Sequence, residues 1–283
     1  MSPKIILITG CSSGFGLLTA ARLASQGHIV FATMRNLSKK QNFLKEVSHR
    51  KGEVTLLELD VTNVSSIQKA VLEICKAHNR LDVLVNNAGY GIGGFFEDLT
   101  QEEIRAQFET NFFGVQNVTR EVIPIMRRQK KGRIINISSI AGLYALPGFG
   151  AYNASKWALE GFSESLYYEM KLFGINVCLI EPGTYRTTIF FENKKYAKNF
   201  FNLDSLYYRY SKYMSEEVDK YVAADKKNPE DIAILVERLI NDPNPPFRNI
   251  PDRRSKIILT LKRLLPFRIF SGILYRLIFA KFS

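Results

Sequence analysis

Short runs of aliphatic and β-branched residues recur along the chain, at Lys4–Thr9, His28–Thr33, Val54–Glu58, Asp82–Val85, Arg133–Ile137 and Ile175–Ile180. Each is long enough for one strand. Between them the apolar positions are spaced by three and four, as in Leu17, Ala20, Ala21, Leu23 and Ala24 or Val64, Ile67, Val71 and Ile74. That spacing predicts helices with one buried face, and Gly27 closes the first of them as a C-terminal cap. Strand and helix in regular alternation predict right-handed crossovers and a parallel sheet. The strands read Ile-Ile-Leu-Ile, Ile-Val-Phe-Ala and Val-Leu-Val, apolar on both faces, so helices must cover both sides. The predicted class is α/β, a doubly wound parallel sheet in a single domain.

The alternation ends after Pro182-Gly183. From Tyr185 to Tyr221 there are eleven aromatic residues in 37 positions, where an even spread would supply about four. Residues 185–228 therefore read as a helical lid over a large apolar substrate, or as a helical subdomain that uses aromatics only to pack itself. Pro229 to Asn241 predict one more helix, opened by proline and capped at Asn228. Residues 253–283 break at Pro266 into two amphipathic pieces, too short and too interrupted by charge to span a bilayer. The expected organisation is a body over residues 1–252, with the lid inside it, and a tail over 253–283.

A net charge of +12 on 283 residues would by itself suggest nucleic acid as partner. Its distribution argues otherwise. Arg253, Arg254, Lys256, Lys262, Arg263, Arg268, Arg276 and Lys281 stand in the tail with no acidic residue, which leaves +4 on the first 252 residues. Leu, Ile and Phe are dense among them, with no polar set for reading bases, so nucleic acid is disfavoured. Such a tail can lie on an anionic membrane surface, or pack its apolar faces over the substrate lobe or a neighbouring subunit. Cys11, Cys75 and Cys178 have no CxxC spacing, and His28, His49 and His78 share no metal-ligand spacing. Reduced thiols, a cytoplasmic setting and no metal are expected. The stretch Ile5 to Ile8 is too short for a signal-peptide core, so the chain is expected to begin with its fold.

Chemistry first shows where the first strand ends. Thr9-Gly10-Cys11-Ser12-Ser13-Gly14-Phe15-Gly16 is a glycine turn running into a helix, and a dinucleotide pyrophosphate needs such a turn to approach the helix N–H groups. Gly10, Ser12, Ser13, Gly14, Phe15 and Gly16 are the candidate contacts, in GxxxGxG rather than GxGxxG spacing. At the end of the second strand an acidic residue would bond the ribose 2′-hydroxyl of NAD. Here stands Ala32-Thr33-Met34-Arg35-Asn36, with no carboxylate. Arg35 can pair with a 2′-phosphate, which predicts NADP(H); as an ordinary solvated arginine it would carry no such meaning.

Tyr152 and Lys156 lie at i and i+4, one helical turn apart on one face. A free phenol has a pKa of about 10, and a cation beside it favours the phenolate, which predicts a usable acid/base pair near neutral pH. Together with Thr9-Gly10-x-x-x-Gly14-x-Gly16, Asp60-Val61, Asn86-Asn87-Ala88-Gly89, Asn111, Ser138-Ser139 and Pro182-Gly183, this Tyr-x-x-x-Lys resembles the short-chain dehydrogenase/reductase family in order and spacing. The resemblance covers Ile5 to about Thr187 and by extension the whole chain, and no catalytic position departs from the pattern.

The resemblance implies a Rossmann fold and a set of roles. Asp60 and Val61 contact the adenine, and Asn86, Asn87, Ala88 and Gly89 shape the floor of the cofactor cleft. Asn111 fixes a water that links Lys156 to solvent. Ser139 holds the substrate oxygen, with Ser138 the weaker candidate. Tyr152 is the proton donor, Lys156 also bonds the nicotinamide ribose, and Thr187, following Pro182 and Gly183, holds the carboxamide. The expected reaction is hydride transfer between NADP(H) and a carbonyl or alcohol.

The loops Tyr90–Phe96 and Leu143–Phe149 and the aromatic segment carry almost no charge. They, with Thr-Gly-Cys-Ser-Ser-Gly, Ala-Thr-Met-Arg and the long C-terminal extension, resemble the branch that includes hydroxysteroid and retinol dehydrogenases. That implies a bulky apolar small-molecule substrate. A homo-oligomer, dimer or tetramer, is implied by the same resemblance. The competing expectation is a non-enzymatic NADP(H)-binding sensor on the same fold, against which the intact Asn111, Ser139, Tyr152 and Lys156 set argues.

Overall fold

The computed structural model describes residues 2–50, 52–186 and 195–282. Seven parallel strands form the central sheet, in the order β3-β2-β1-β4-β6-β7-β9. They are β1 (Ile5–Ile8), β2 (Ile29–Met34), β3 (Val54–Glu58), β4 (Val83–Asn86), β6 (Gly132–Ile137), β7 (Ile175–Ile180) and β9 (Arg248–Asn249). The remaining two, β5 (Ile92–Gly93) and β8 (Lys195–Tyr196), pair with each other beyond the sheet. Six of the seven sheet strands match the apolar runs of the sequence to within a residue at each end. The seventh, β9, has two residues and no period to read, and the same is true of β5 and β8.

Period-two alternation sorts each strand's side chains to opposite layers. Ile6, Ile8, Val83, Val85, Ile135, Cys178 and Ile180 face one core, shared with helices α1 (Gly14–Ser25), α2 (Lys40–His49) and α8 (Glu230–Asn241). Ile5, Leu7, Leu84, Ile134, Ile175 and Val177 face the other, under α3 (Val64–His78), α5 (Gly114–Gln129) and α6 (Gly150–Lys171). The doubly wound expectation is met, and the three cysteines are free thiols.

Helix α8 packs along α1, and Arg133 of β6 closes its far end. Its guanidinium is buried and donates to the carbonyls of Leu239 and, at 2.7 Å, Asp242. These are last-turn acceptors that no N–H of the helix can reach, at the negative end of its dipole. Burial pulls the Arg133 pKa down without removing its charge.

Helix α4 (Gln101–Phe108) leads through a π-helical turn, Glu109–Phe113, into α5. Helix α7 (Tyr208–Ala224) lies beyond β8, where Tyr207 stacks on Phe95 with ring centroids 4.6 Å apart. The chain ends in α9 (Arg253–Leu264) and α10 (Phe267–Phe279), separated at Pro266. Asp252 caps α9 by accepting the Ser255 N–H, and its other oxygen accepts the Gly183 N–H at 3.2 Å. No helix among the described residues is long and apolar enough to cross a membrane.

Replacing Arg133 with Met, which keeps the apolar stem, should leave the α8 carbonyls buried and unpaired. We expect a loss of about 2 kcal/mol in unfolding free energy, read from urea denaturation. An unchanged midpoint would show that the α8 terminus does not need the guanidinium.

Candidate active site

The strand order reverses direction between β1 and β4, and an open parallel sheet binds its ligand where two neighbouring strands lead their chains apart. Here the carboxyl ends of these strands are tied together. Thr9 Oγ1 accepts the N–H groups of Asn87 and Ala88, both at 3.0 Å, while Asn87 Nδ2 donates to the carbonyls of Thr9 and Gly10, both at 2.9 Å. A Cβ on Gly16 would lie 2.4 Å from Asn87 Nδ2 and 2.5 Å from Gly10 O, so the turn closes only around glycine. Ser13 stands at the N-cap of α1 without a capping side-chain bond, and the first turn holds no acidic residue. Its N–H groups are thus open to an anion at the positive end of the dipole.

Around this turn lie Gly10, Ser12, Ser13, Gly14, Phe15 and Gly16 from β1 and α1, and Asn87, Ala88 and Gly89 after β4. Asp60 and Val61 follow β3. One Asp60 oxygen accepts both the N–H and the hydroxyl of Thr62, and Val61 packs against Gly114. Arg35 is exposed just past β2. Its charge and burial together lower the pKa of Lys195, whose ammonium lies 4.0 Å from the Tyr90 ring centroid. Two cations, Arg35 and Lys195, thus flank this rim. Pro182 and Gly183 follow β7, with Pro182 buried. Thr187 lies outside the described residues. A glycine cradle, an uncapped helix start and a basic rim fit a dinucleotide with its phosphates over α1.

Tyr152, Ser155 and Lys156 project from the first turns of α6. Ser139 bonds Tyr152 through its hydroxyl, receives the Ala141 N–H at 3.1 Å and lies 3.4 Å from Pro182 O. Ser138 Oγ turns the other way, donating to Glu160 at 2.5 Å. Asn111 is buried in the π-helical turn, where it accepts the Tyr90 N–H and donates to Tyr90 O and, at 3.2 Å, Ser155 Oγ. Both of its amide hydrogens are used, so its side chain clamps the Tyr90 loop to α6. Gln107 adds a second clamp, bonding Tyr90 O and the Ile92 N–H.

The expectation that Lys156 lowers the Tyr152 pKa is not met in this arrangement. Lys156 Nζ donates to Ile137 O at 2.8 Å. Burial dominates at the phenol and raises its pKa, with the Ser139 hydroxyl pulling the other way. The same burial brings Lys156 down to about 8, against an upward pull from Glu160.

The loops next to Tyr152 are packed by apolar and aromatic side chains. Gly91 lies against the Tyr152 ring, Gly94 bridges to Phe149, the Tyr196 ring covers Gly93 and stacks on Phe200, and Met214 reaches Gly148. A separate cavity of about 690 Å³, between α8, β9 and α9, holds none of Asn111, Ser139, Tyr152 or Lys156.

The model of the short chain dehydrogenase family matches residues 4–197. The chain belongs to that family. It is 42% identical over 260 residues to 3-ketodihydrosphingosine reductase of Bacteroides thetaiotaomicron, covering 88% of this chain and 87% of the relative. It is 36% identical over 276 residues to human retinol dehydrogenase 8, covering 92% and 85%. A short-chain dehydrogenase/reductase from Burkholderia phymatum, solved in complex with NAD, superposes with a TM-score of 0.81 at 26% identity, covering 93% of each chain. The family is one of oxidoreductases that bind a nicotinamide cofactor.

Behind α6 this dehydrogenase holds a partly buried charge network that no motif announced. Glu160, one turn beyond Lys156, meets the Arg248 guanidinium, which also reaches Glu181 at 3.3 Å and Glu164 at 3.1 Å. Glu181 is wholly buried at the end of β7 and accepts the Asn249 N–H at 2.8 Å. Burial and the neighbouring Glu160 push its carboxyl up to about 8. At neutral pH Glu181 is thus mostly protonated, while Arg248 pairs with both Glu160 and Glu164. Gln107, Glu160, Glu181, Lys195 and Arg248 were not marked by the sequence. Of these, Glu160 carried a signal, being a carboxylate four residues after Lys156 on the same face.

Glu160 raises the Lys156 pKa, so Glu160→Gln should lower it. The ammonium would then be lost at lower pH, and the alkaline limb of the kcat/KM profile should move down by about one pH unit. An unmoved limb, in a variant that folds, would show that Glu160 does not act on Lys156.

Proposed function

We propose that this dehydrogenase interconverts a carbonyl and an alcohol on a bulky apolar substrate with NADP(H), and that Tyr152 carries the proton. One observation bears most of this reading: the Ser139 and Tyr152 hydroxyls pair, the buried Lys156 follows one turn along the same helix, and the neighbouring loops at Gly93 and Gly148 are covered by Tyr196, Phe149 and Met214. When bound, the cofactor supplies or takes up the hydride.

Ser139 and Tyr152 can both donate to one substrate oxygen. Charge grows on that oxygen as the carbonyl is reduced, so both bonds strengthen toward the transition state. The raised Tyr152 pKa keeps its proton on the phenol at neutral pH, the form that can protonate an alkoxide. Lys156, with a pKa of about 8, is mostly charged at the same pH, and its ammonium is held one helical turn from the phenol by Ile137 O. Asn111 ties the Tyr90 loop to Ser155 of α6, Gln107 holds the same loop to α4, and Gly91 of that loop lies against the Tyr152 ring.

Arg35 supports NADP(H) over NAD(H), because the end of β2 offers a guanidinium and no carboxylate to the adenosine ribose. Lys195 adds positive charge to the same rim. The relatives named for 3-ketodihydrosphingosine and for retinol support a lipid-like substrate, as does the apolar lining.

Tyr152→Phe should lower kcat by at least about a hundredfold while NADPH binding, followed by fluorescence, is retained; an active variant would refute Tyr152 as proton donor. Arg35→Asp should cut kcat/KM for NADPH by about tenfold and bring NADH level or ahead. A variant that kept its NADPH preference would remove the assignment. NADPH oxidation against long-chain, retinoid, steroid and quinone carbonyls tests the substrate class, and turnover of none would favour a cofactor-binding sensor instead.

A further inference from the structure

The tail keeps one face on the body and turns an apolar face outward. On the inner side, Phe282 packs on Tyr210 and Tyr213 of α7 with ring centroids 4.6 and 5.2 Å away. Lys262 donates to Leu143 O and lies 4.6 Å from the Trp157 ring. On the outer side of α9, Ile257, Leu261 and Leu264 stand at i, i+4 and i+7, all exposed. On the outer side of α10, Ile269, Ile273 and Leu277 repeat the stripe at i, i+4 and i+8, again all exposed. Phe267, at the joint between the helices, is 79% exposed, and α10 buries no residue at all. A helix normally hides such a stripe.

Charge decides what covers it. Arg254, Lys262 and Lys281 lie over the rings of Tyr221, Trp157 and Tyr213. Arg253, Lys256, Arg263, Arg268 and Arg276 are exposed beside the stripes, and residues 253–283 contain no carboxylate side chain to offset them. A second copy docking through the same surface would set this charge against itself, because a two-fold contact presents one patch to its own kind. An anionic lipid surface accepts both features at once: apolar side chains enter the acyl boundary and basic ones meet the headgroups.

We infer that α9 and α10 dock this protein on an anionic bilayer, with the two apolar stripes as the inserted face. The contact also orients the active site. Lys262 touches Leu143, in the loop after Ser139, and Trp157, next to Lys156 in α6. Through Tyr210, Phe282 joins the Phe95 side of the substrate walls. The surface that meets lipid is therefore attached to the loops beside the cleft, through Leu143 and Trp157 and, at the Asp252 cap of α9, through Gly183. The inference does not require the proposed reaction, since adsorption is measured without cofactor or substrate.

The test is co-sedimentation of the full chain with vesicles of phosphatidylcholine alone and of phosphatidylcholine with phosphatidylserine, at low and high salt. The wild type should pellet with the phosphatidylserine vesicles, stay in solution with phosphatidylcholine, and release as salt rises. Arg268→Glu with Arg276→Glu should weaken binding by at least about twentyfold, from roughly fivefold for each basic residue lost. Ile273→Gln with Leu277→Gln should weaken it while leaving all charge in place. Wild-type protein that stays in the supernatant with phosphatidylserine, or variants that bind like wild type, would overturn the inference. So would sedimentation velocity without lipid in which Ile273→Gln with Leu277→Gln dissociates an oligomer, because the stripe would then belong to a protein contact.

Discussion

Everything in the catalytic half of this molecule hangs on the tie between the carboxyl ends of β1 and β4. Four hydrogen bonds join Thr9 and Gly10 to Asn87 and Ala88 across the point where the sheet reverses its winding. Without the tie, two chains leaving in opposite directions would open a gap that water fills. With it, the glycine turn sits at a fixed height against Ala88 and Gly89, and the start of α1 points across the cleft. The pattern of parallel pairing then sets the other rims, since β2, β3, β6 and β7 end beside these two and deliver Arg35, Asp60, Ser139 and Pro182 to one side of the sheet.

The second constraint is the burial of charge under α6. A lysine, an arginine and two carboxylates share an interior that would expel any one of them alone, and removing one partner leaves its neighbour uncompensated. The arrangement is tolerable because Glu181 takes up a proton near neutral pH while Arg248 serves Glu160 and Glu164 together. Geometry follows from that electrostatic balance. Glu160 holds Ser138, which leaves the next residue, Ser139, free to face Tyr152.

The sheet, its two helical layers and the turn before α1 could be read from the sequence because each rests on a period or on a residue type that the backbone demands. The position of Ser139 beside Tyr152 followed from the resemblance, not from the spacing. The charge network could not be read, since Arg248 and Glu160 are 88 residues apart and meet only through the two-residue strand β9. Helical spacing placed Lys156 one turn from Tyr152 but could not say where its ammonium points. The nearby Ile137 carbonyl captures it, and desolvation then prevails at the phenol. For the tail, the sequence left packing and a membrane surface as alternatives: one face packs on α7 and Trp157, and the other is exposed among the described residues.

Helix α6 carries Tyr152, Ser155, Lys156, Glu160 and Ser163 along 22 residues, and each meets a different partner at a fixed azimuth. One inserted residue would rotate everything after it by about 100° and part all of those contacts in a single step. No helical phase fixes Tyr196, in the two-residue strand β8, or Tyr207, which meets Phe95 from the chain just before α7. Insertions and deletions are thus costly along α6 and cheap in the aromatic segment beyond β8. A lineage of such chains can change the length of that segment without disturbing the side chains that α6 holds in phase.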